Sequence, residues 1–528
     1  MKLSLQSIRK PELWTGYHLP AYDVEKIVKN TEIAPKWLHF GCGNIFRIFP
    51  AAICQRLIER GETDTGIVCC ESYDDEIISK CFTPFDNLSV AVTLLADGGM
   101  EKEVIGSMAV ALTAKNDFSK IRACFENGSL QMVSFTITEK GYAIRGTDGE
   151  LLQMVKDDIE AGPEACRHLM SMLAELCIFR GRKCAKPLAL CSMDNCSHNG
   201  EKLRNAVIEI AKNWLDKQKI TQNDFDFLNE KISFPWSMID KITPRPNELV
   251  EAELIRDGLE GMTPFVTEKN TYTAAFVNSE KPQYLVMEDD FPNGRPALDK
   301  AGVLLCDRAT VNLAERMKVT TCLNPLHTAM SVYGCMLGYT RICEEMKDAD
   351  IVSLITRLGY REGLPVVDDP KILSPKEFID EVVKVRLPNP FMPDAPQRIA
   401  TDTSQKVGVR FGETIKSYVA TGRDLAVLRS LPLAIAGWLR YLLAVDDEGN
   451  PMEVSSDPLK DELQAKLTGI AVGRPETYCG QLREILNNAV IFGSDLTQTP
   501  LSELIEEMFV DMIAGKNAVR ATLKKYLA

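Results

Sequence analysis

A strand, a glycine turn, a helix and a second strand fall within residues 36–71, and further β-branched runs alternate with helical segments behind them. After residue 297 the apolar spacing is helical almost throughout. Together these patterns predict an α/β half followed by a mainly α-helical half. The chain has 528 residues, of which 45% are hydrophobic and 26% charged, and its mean hydropathy is -0.10. That composition is expected of a soluble, multi-domain globular protein and excludes collagen-like, disordered and membrane-spanning classes. The expected domains are 1–280, with an N-terminal arm over 1–35, and 281–528.

The elements follow in order. Pro11, Pro20 and Pro35 punctuate the arm. Lys36-Trp37-Leu38-His39-Phe40 reads as a buried strand, 49–58 as a helix, and Gly66-Ile67-Val68-Cys69-Cys70 as the next strand, ending at Glu71. Leu88–Leu94, Met132–Thr138 and Pro187–Ser192 are further strands, with helices over 164–178 and 202–217 near them. This alternation points to a mostly parallel, doubly wound sheet. A Pro292-Asn293-Gly294-Arg295-Pro296 turn closes this half. Helices are expected over 307–318, 325–347, 349–358, 375–385, 411–420, 424–443, 457–470, 476–491 and 501–526.

Gly41-Cys42-Gly43 lies between a strand and a helix, which makes the first half a Rossmann-like dinucleotide-binding domain. The first glycine allows the tight turn, and the second lets backbone approach a pyrophosphate. The third glycine of the full fingerprint would fall at Phe46, so the match is partial. Arg47 offers an additional positive charge. Glu71 is a candidate for the ribose hydroxyls and would favour NAD over NADP. A solvated strand-end acid is the alternative, with Asp74, Asp75 and Glu76 close by.

Acidic residues outnumber basic ones, 74 to 61, for a net charge of -13. No basic footprint for nucleic acid or anionic membrane is present. The 16 cysteines form no CxxC pair, so the expectation is free thiols in a reducing, cytoplasmic setting and no bound metal.

Five histidines are present, and two of them sit beside asparagine in polar clusters. One cluster is Asp194-Asn195-Cys196-Ser197-His198-Asn199-Gly200, directly after a strand. In the other, Lys318 precedes Asn324-Pro325-Leu326-His327. Asn324 followed by Pro325 reads as an N-cap and first helical residue. Lys318, Asn324 and His327 would then meet at an inter-helix corner. The structural alternative is a plain cap, a core histidine and a surface lysine.

Several ordered segments resemble the polyol-specific long-chain dehydrogenases, the mannitol dehydrogenase family, which includes fructuronate and tagaturonate reductases. They are Gly41-Cys42-Gly43-Asn44-Ile45-Phe46-Arg47, Thr136–Tyr142, Asp194-Asn195 with His198-Asn199-Gly200, 234–244, Glu288–Pro292 with Gly294-Arg295-Pro296, and Glu315, Lys318, Asn324 and His327. The resemblance runs over about residues 37–410. It implies NAD at Gly41, Gly43, Asn44, Arg47 and Glu71, and zinc-independent chemistry. It makes Lys318 the general base, Asn195 and Asn324 donors to the reacting oxygen, and His327 an orienting group. Asp240 joins the same polar site, and Glu139 lines a proton route. Five residues separate Lys318 from Asn324 where the family has four, and Pro325 stands where glycine is common.

The chemistry suits these residue types. Alcohol oxidation sends hydride to the nicotinamide and the hydroxyl proton to a base. A lysine serves once burial brings its pKa from about 10.4 toward 7–8. Each asparagine donor to the alkoxide is worth roughly 3 kcal/mol.

The family divides between neutral polyols and sugar acids. Arg386, Lys406 and Arg410 are candidates to clamp a carboxylate, and the reading leans to D-mannonate and D-fructuronate. Mannitol 2-dehydrogenase, another polyol dehydrogenase and tagaturonate reductase are the alternatives. A non-catalytic NAD sensor would not need Lys318, Asn324 and His327 together. A zinc alcohol dehydrogenase would need a Cys/His/Glu set that the sequence lacks. The expected partner is a small-molecule sugar acid or polyol, not nucleic acid or membrane, and the active site is expected between the two domains.

Overall fold

The computed structural model describes all of residues 1–528. The chain forms two compact units, one of residues 1–95 with 99–312, the other of 313–528 with 96–98.

The first unit is built on a six-stranded parallel sheet. Its strands are β1 (Trp37–Phe40), β2 (Ile67–Glu71), β3 (Met108–Thr113), β4 (Met132–Phe135), β5 (Leu188–Ser192) and β6 (Ile232–Ser233). Their spatial order is β3-β2-β1-β4-β5-β6. This is the doubly wound order, in which the winding direction reverses between β1 and β4. The pairing is in register there: Trp37 lies beside Met132 and Phe40 beside Phe135.

The strands read as continuous apolar runs because helices cover both faces. Leu38, Phe40, Val68, Cys70, Val133, Phe135, Leu188 and Leu190 enter one core. Their neighbours Trp37, Ile67, Cys69, Met132, Ala189 and Cys191 enter the core on the other face. The alternation is the two-residue period of the pleat. Behind β1 come the short helix α1 (Asn44–Ile48) and then α2 (Pro50–Glu59); α3 (Asn199–Asp216) follows β5.

In the first unit three features differ from the sequence expectation. The Leu88–Leu94 run belongs to a second sheet, where Ser89–Leu94 pairs antiparallel with Met100–Ile105 and parallel with Phe276–Glu280. The expected N-terminal arm is not a loose tail: Tyr17–His18 pairs with that sheet, and Val24–Ile33 is a helix capped by Asp23. The expected boundary at 280/281 moves to 312/313. The cause is β-pairing: β7 (Ser237–Asp240) takes β8 (Tyr284–Glu288) as its antiparallel neighbour, and β9 (Leu304–Cys306) adds parallel to β8. Cutting at 280 would split this three-stranded sheet.

The second unit is helical, as expected. The helix α4 (Arg308–Met317) carries the chain into it, and α5 (Asn324–Met336) follows. At the centre lies α6 (Ser430–Tyr441), buried at every position. Its apolar circumference is that of a helix surrounded by others. A Cβ on Gly437 would stand 2.6 Å from the Tyr333 ring, so glycine lets α5 approach, and the Tyr333 hydroxyl donates to the Leu433 carbonyl at 2.8 Å. Buried Glu362 closes the start of α6 by accepting the N–H groups of Arg429, Ser430 and Leu431 at 2.8–2.9 Å. The long helices expected over 325–347 and 501–526 are each broken at glycines with positive φ, Gly338 and Gly515.

Candidate functional site

The nucleotide side is built where β1 and β4 diverge. Gly41 has φ of +96°, and a Cβ there would collide with the Thr136 carbonyl at the end of β4. Only glycine fits this turn. Gly43 faces open space, with nothing within 4 Å of where its Cβ would be. These two glycines give a turn pressed against the sheet on one side and open on the other, the shape a pyrophosphate requires. Asn44 begins α1, whose first N–H groups lack intrahelical partners.

Two expected cofactor residues are placed differently. Arg47 is fully buried and turned inward. It donates to the Ala274 carbonyl at 2.8 Å, to Asn44 Oδ1 at 3.0 Å and to Thr273 at 3.2 Å. It fastens α1 to the 273–274 segment rather than offering a free charge. Glu71 is buried, with both carboxylate oxygens engaged by backbone. Oε2 accepts Cys42 N–H at 2.8 Å; Oε1 accepts Ser72, Tyr73 and Asp74 N–H at 2.9–3.3 Å. Burial pushes its pKa up, and those four N–H groups oppose the shift. It is not the solvent-facing carboxylate that ribose recognition was expected to use.

The Asp194 loop is the second structural centre. Asp194 accepts Ile137 N–H and Thr138 N–H at 2.9 Å each, and the Tyr142 hydroxyl at 2.5 Å. Asn199 is buried and fully used: it donates to the Asp194 and Ser237 carbonyls and accepts Gly200 and Ser237 N–H. Asn195, between these anchors, is exposed on the loop after β5. His198 stacks on Trp236 at 4.3 Å. Asp240 is buried at the end of β7. Glu139 lies at the surface, paired with Lys202.

Lys318 and Asn324 belong to the second unit. Lys318 is 3% exposed, so the surface-lysine alternative does not hold. It opens a wide turn, Lys318–Cys322, that extends α4 and closes with the Leu323 N–H on the Lys318 carbonyl at 3.1 Å. A π turn takes up one residue more than an α turn, which is how the five-residue spacing to Asn324 is accommodated. Leu323, not Asn324, is the cap; Asn324 is the first residue of α5 and Pro325 the second. Asn324 and His327, three apart, share a helix face.

His327 is surrounded by charge. Its Nε2 has no hydrogen-bond partner, and the Asp394 carboxylate lies 3.8 Å away. Burial, aided by Arg410, Arg398 and Arg386, lowers its pKa to about 4 against the pull of Asp394. Arg398 is paired with Asp394. Arg410 donates to Thr328, the residue after His327, and burial lowers its pKa to about 10. No carboxylate lies within ion-pair distance of Arg410. Lys406, lowered by burial and by Arg410, donates to the Thr401 carbonyl. Arg386 is buried, and its charge acts on His327.

Asp394, Arg398, His39 and Asp194 were not assigned roles from sequence. Asp394 sits in an irregular Pro-rich stretch and Arg398 in the single helical turn that follows it, Pro396–Ile399, too short to leave a periodic pattern. His39 left one trace, a polar residue inside an apolar strand. No group of three or more His, Cys, Asp and Glu side chains is arranged to hold a metal, and all cysteines are free thiols. No helix is long and apolar enough to cross a membrane.

Sheet order and glycine turn define a dinucleotide-binding fold. The model of the mannitol dehydrogenase Rossmann domain matches residues 35–300, and that of the mannitol dehydrogenase C-terminal domain matches residues 311–512. The D-mannonate oxidoreductase of Thermotoga maritima is 47% identical over 533 residues, covering 99% of each chain. Among solved structures, a substrate-free D-sorbitol dehydrogenase superposes with a TM-score of 0.81 at 24% identity, covering 99% of this chain and 100% of that one. The Pseudomonas fluorescens mannitol 2-dehydrogenase, a ternary complex with NAD and D-mannitol, gives 0.71 at 24% identity, covering 100% and 99%. The chain belongs to the mannitol dehydrogenase family. It is an oxidoreductase acting on CH–OH groups.

Proposed function

We propose that the protein interconverts the secondary alcohol and ketone of an open-chain sugar acid, D-mannonate and D-fructuronate, without zinc and with Lys318 as general acid and base. The observation that carries the sugar-acid reading is Arg410. A largely buried guanidinium with a threonine hydroxyl for company and no carboxylate partner is costly. A substrate carboxylate would complete it with a charge-assisted, bidentate pair. Lys406 and Arg386 add positive charge in the same unit. The similarity to the D-mannonate oxidoreductase of Thermotoga maritima supports the same substrate.

When bound at Gly41, Gly43 and Asn44, the nicotinamide cofactor supplies the hydride acceptor. In this mechanism the carbinol C–H leaves as hydride, and Lys318 Nζ takes the hydroxyl proton as the carbonyl forms. Asn195 and Asn324 donate hydrogen bonds to the oxygen while it carries alkoxide charge. Neutral His327 presents its unpartnered Nε2 to a substrate hydroxyl. Asp240 completes the polar surround, and Glu139, at the surface beside Lys202, is where a proton route would meet solvent. In reduction the Lys318 ammonium returns the proton.

The test is a substrate panel of mannonate, altronate, mannitol and arabinitol, each with NAD and NADP. The reading expects kcat/KM for mannonate at least about 100-fold above mannitol, the worth of one buried charged pair. Equal use of mannitol removes the sugar-acid reading, and preference for altronate moves it to the tagaturonate branch.

A further inference from the structure

A chain of buried side chains ends on the glycine turn. The Trp37 indole donates to Ser134 Oγ at 2.6 Å, and Ser134 lies 2.6 Å from His39 Nδ1. His39 Nε2 lies 2.9 Å from Thr136 Oγ1 and 3.1 Å from the Gly41 carbonyl, to which Thr136 donates at 3.0 Å. Trp37, His39 and Ser134 are sealed from solvent and Thr136 nearly so, which fixes the direction of every proton. Indole is only a donor. Ser134 therefore accepts from Trp37, and its own proton has His39 Nδ1 as its acceptor. The imidazole is the Nε2–H tautomer, donating toward Thr136 and the Gly41 carbonyl. The reverse tautomer would leave the Ser134 hydroxyl proton with no acceptor in a dry core. Burial lowers the His39 pKa to about 3, so the ring stays neutral. On its other side the ring stacks on Phe46 of α1 at 4.1 Å, nearly parallel.

The same peptide group is held from the opposite end. Glu71 Oε2 accepts Cys42 N–H at 2.8 Å, and Cys42 N–H belongs to the peptide whose carbonyl is that of Gly41. One peptide plane is thus gripped at its oxygen by His39 and Thr136, and at its N–H by Glu71. The grips come from β1, from the residue that follows β4, and from the end of β2, three neighbours in the sheet.

We propose that His39 and Glu71 are positioning residues for the nucleotide: they clamp the Gly41–Cys42 peptide plane and hold the turn ready for the cofactor pyrophosphate before it arrives. A turn free to rotate this plane would pay for its ordering out of binding free energy. Glu71 acts through the backbone and does not read the ribose. This inference rests on NAD as the cofactor and is independent of the sugar-acid reading.

The test is direct NADH and NADPH binding to full-length protein by fluorescence titration, without substrate, alongside melting temperature. His39→Gln places an amide donor near the Nε2 position, whereas His39→Asn reaches only the Nδ1 position. Gln is expected to keep the NADH Kd within about 3-fold, and Asn to raise it at least about 10-fold, the effect of one buried hydrogen bond or more. A purely structural role would lower the melting temperature of both and leave both Kd values alike, and that result overturns the clamp. Should the His39 variants fail to fold, Thr136→Val removes one grip with little change of volume and is expected to raise the NADH Kd several-fold; wild-type affinity overturns the proposal. Glu71→Gln is expected to weaken NADH and NADPH by the same factor. A selective gain for NADPH would make Glu71 a ribose-reading residue and overturn its assignment here.

Discussion

Asp194, in the loop after β5, accepts the N–H of Thr138 at 2.9 Å, and Thr138 holds a left-handed φ of +64° just beyond β4. A β-branched residue in that region is strained and persists only where surroundings over-determine it. Asp194 does so with three hydrogen bonds, and it sits one residue before Asn195. Asp194→Ala would remove the acceptor of the Ile137 and Thr138 N–H groups and leave the Tyr142 hydroxyl with Ser192 alone. The expected loss is about 2–4 kcal/mol of unfolding free energy, read from urea denaturation; a loss below about 1 kcal/mol contradicts this role. Thr138→Gly, which relieves the strain, is expected to be neutral or to stabilise by about 1 kcal/mol.

Arg410→Met keeps the bulk and removes the charge. For mannonate, KM is expected to rise about 10- to 100-fold, the worth of a charge-assisted pair. Activity on any neutral polyol should be unchanged. Steady-state kinetics on both substrates decides it: parallel losses would mean that Arg410 maintains structure instead of meeting a carboxylate.

Glu345 predicts an unusual pH dependence of stability. It is wholly buried against Gly334, neither carboxyl oxygen has a hydrogen-bond partner, and burial, with Asp348 adding to it, pushes its pKa up to about 9. The folded protein keeps this proton while the unfolded chain loses it near the ordinary carboxylate value. Between those two values the unfolded state binds fewer protons, so stability falls as pH rises, by at most about 1.4 kcal/mol per pH unit from this group. Glu345→Gln should flatten the slope and raise the melting temperature at pH 8. A variant with the wild-type slope would show that another group is responsible.

His327, lowered to about 4, is neutral throughout pH 6–9. The kcat/KM profile over that range should therefore keep its shape in His327→Asn, even where its height falls. Loss of an ionisation in the variant would assign that ionisation to His327. If the proposed mechanism holds, in which no step uses a metal, prolonged dialysis against a strong chelator should leave activity within about 20% of the starting value; loss restored by zinc would refute it.

The outlines of the fold were legible because they rest on local signals. The runs at 37–40, 67–71, 132–135 and 188–192 are apolar on both faces, as a covered parallel sheet demands. Gly41 and Gly43 sat where backbone had to turn tightly and stay open. What could not be read were relationships at long range. Nothing near Arg47 announced that Ala274 would take its guanidinium. Nothing near Glu71 announced that the Cys42 N–H would claim an oxygen. The 280/281 boundary failed because β7 and β8 pair across more than forty residues of chain. The widened turn at Lys318 was visible only as one residue too many before Asn324.

The proposed reaction stands or falls with proton transfer to Lys318. Lys318→Ala and Lys318→Met, assayed for mannonate oxidation with NAD and for NADH binding in parallel, test it most directly. With Lys318 as the base, kcat falls by about 100-fold or more, the usual worth of a general base, while the NADH Kd stays within about 2-fold and the fold is intact by circular dichroism. If either variant retains more than a tenth of wild-type turnover, Lys318 is not the base and the mechanism is wrong.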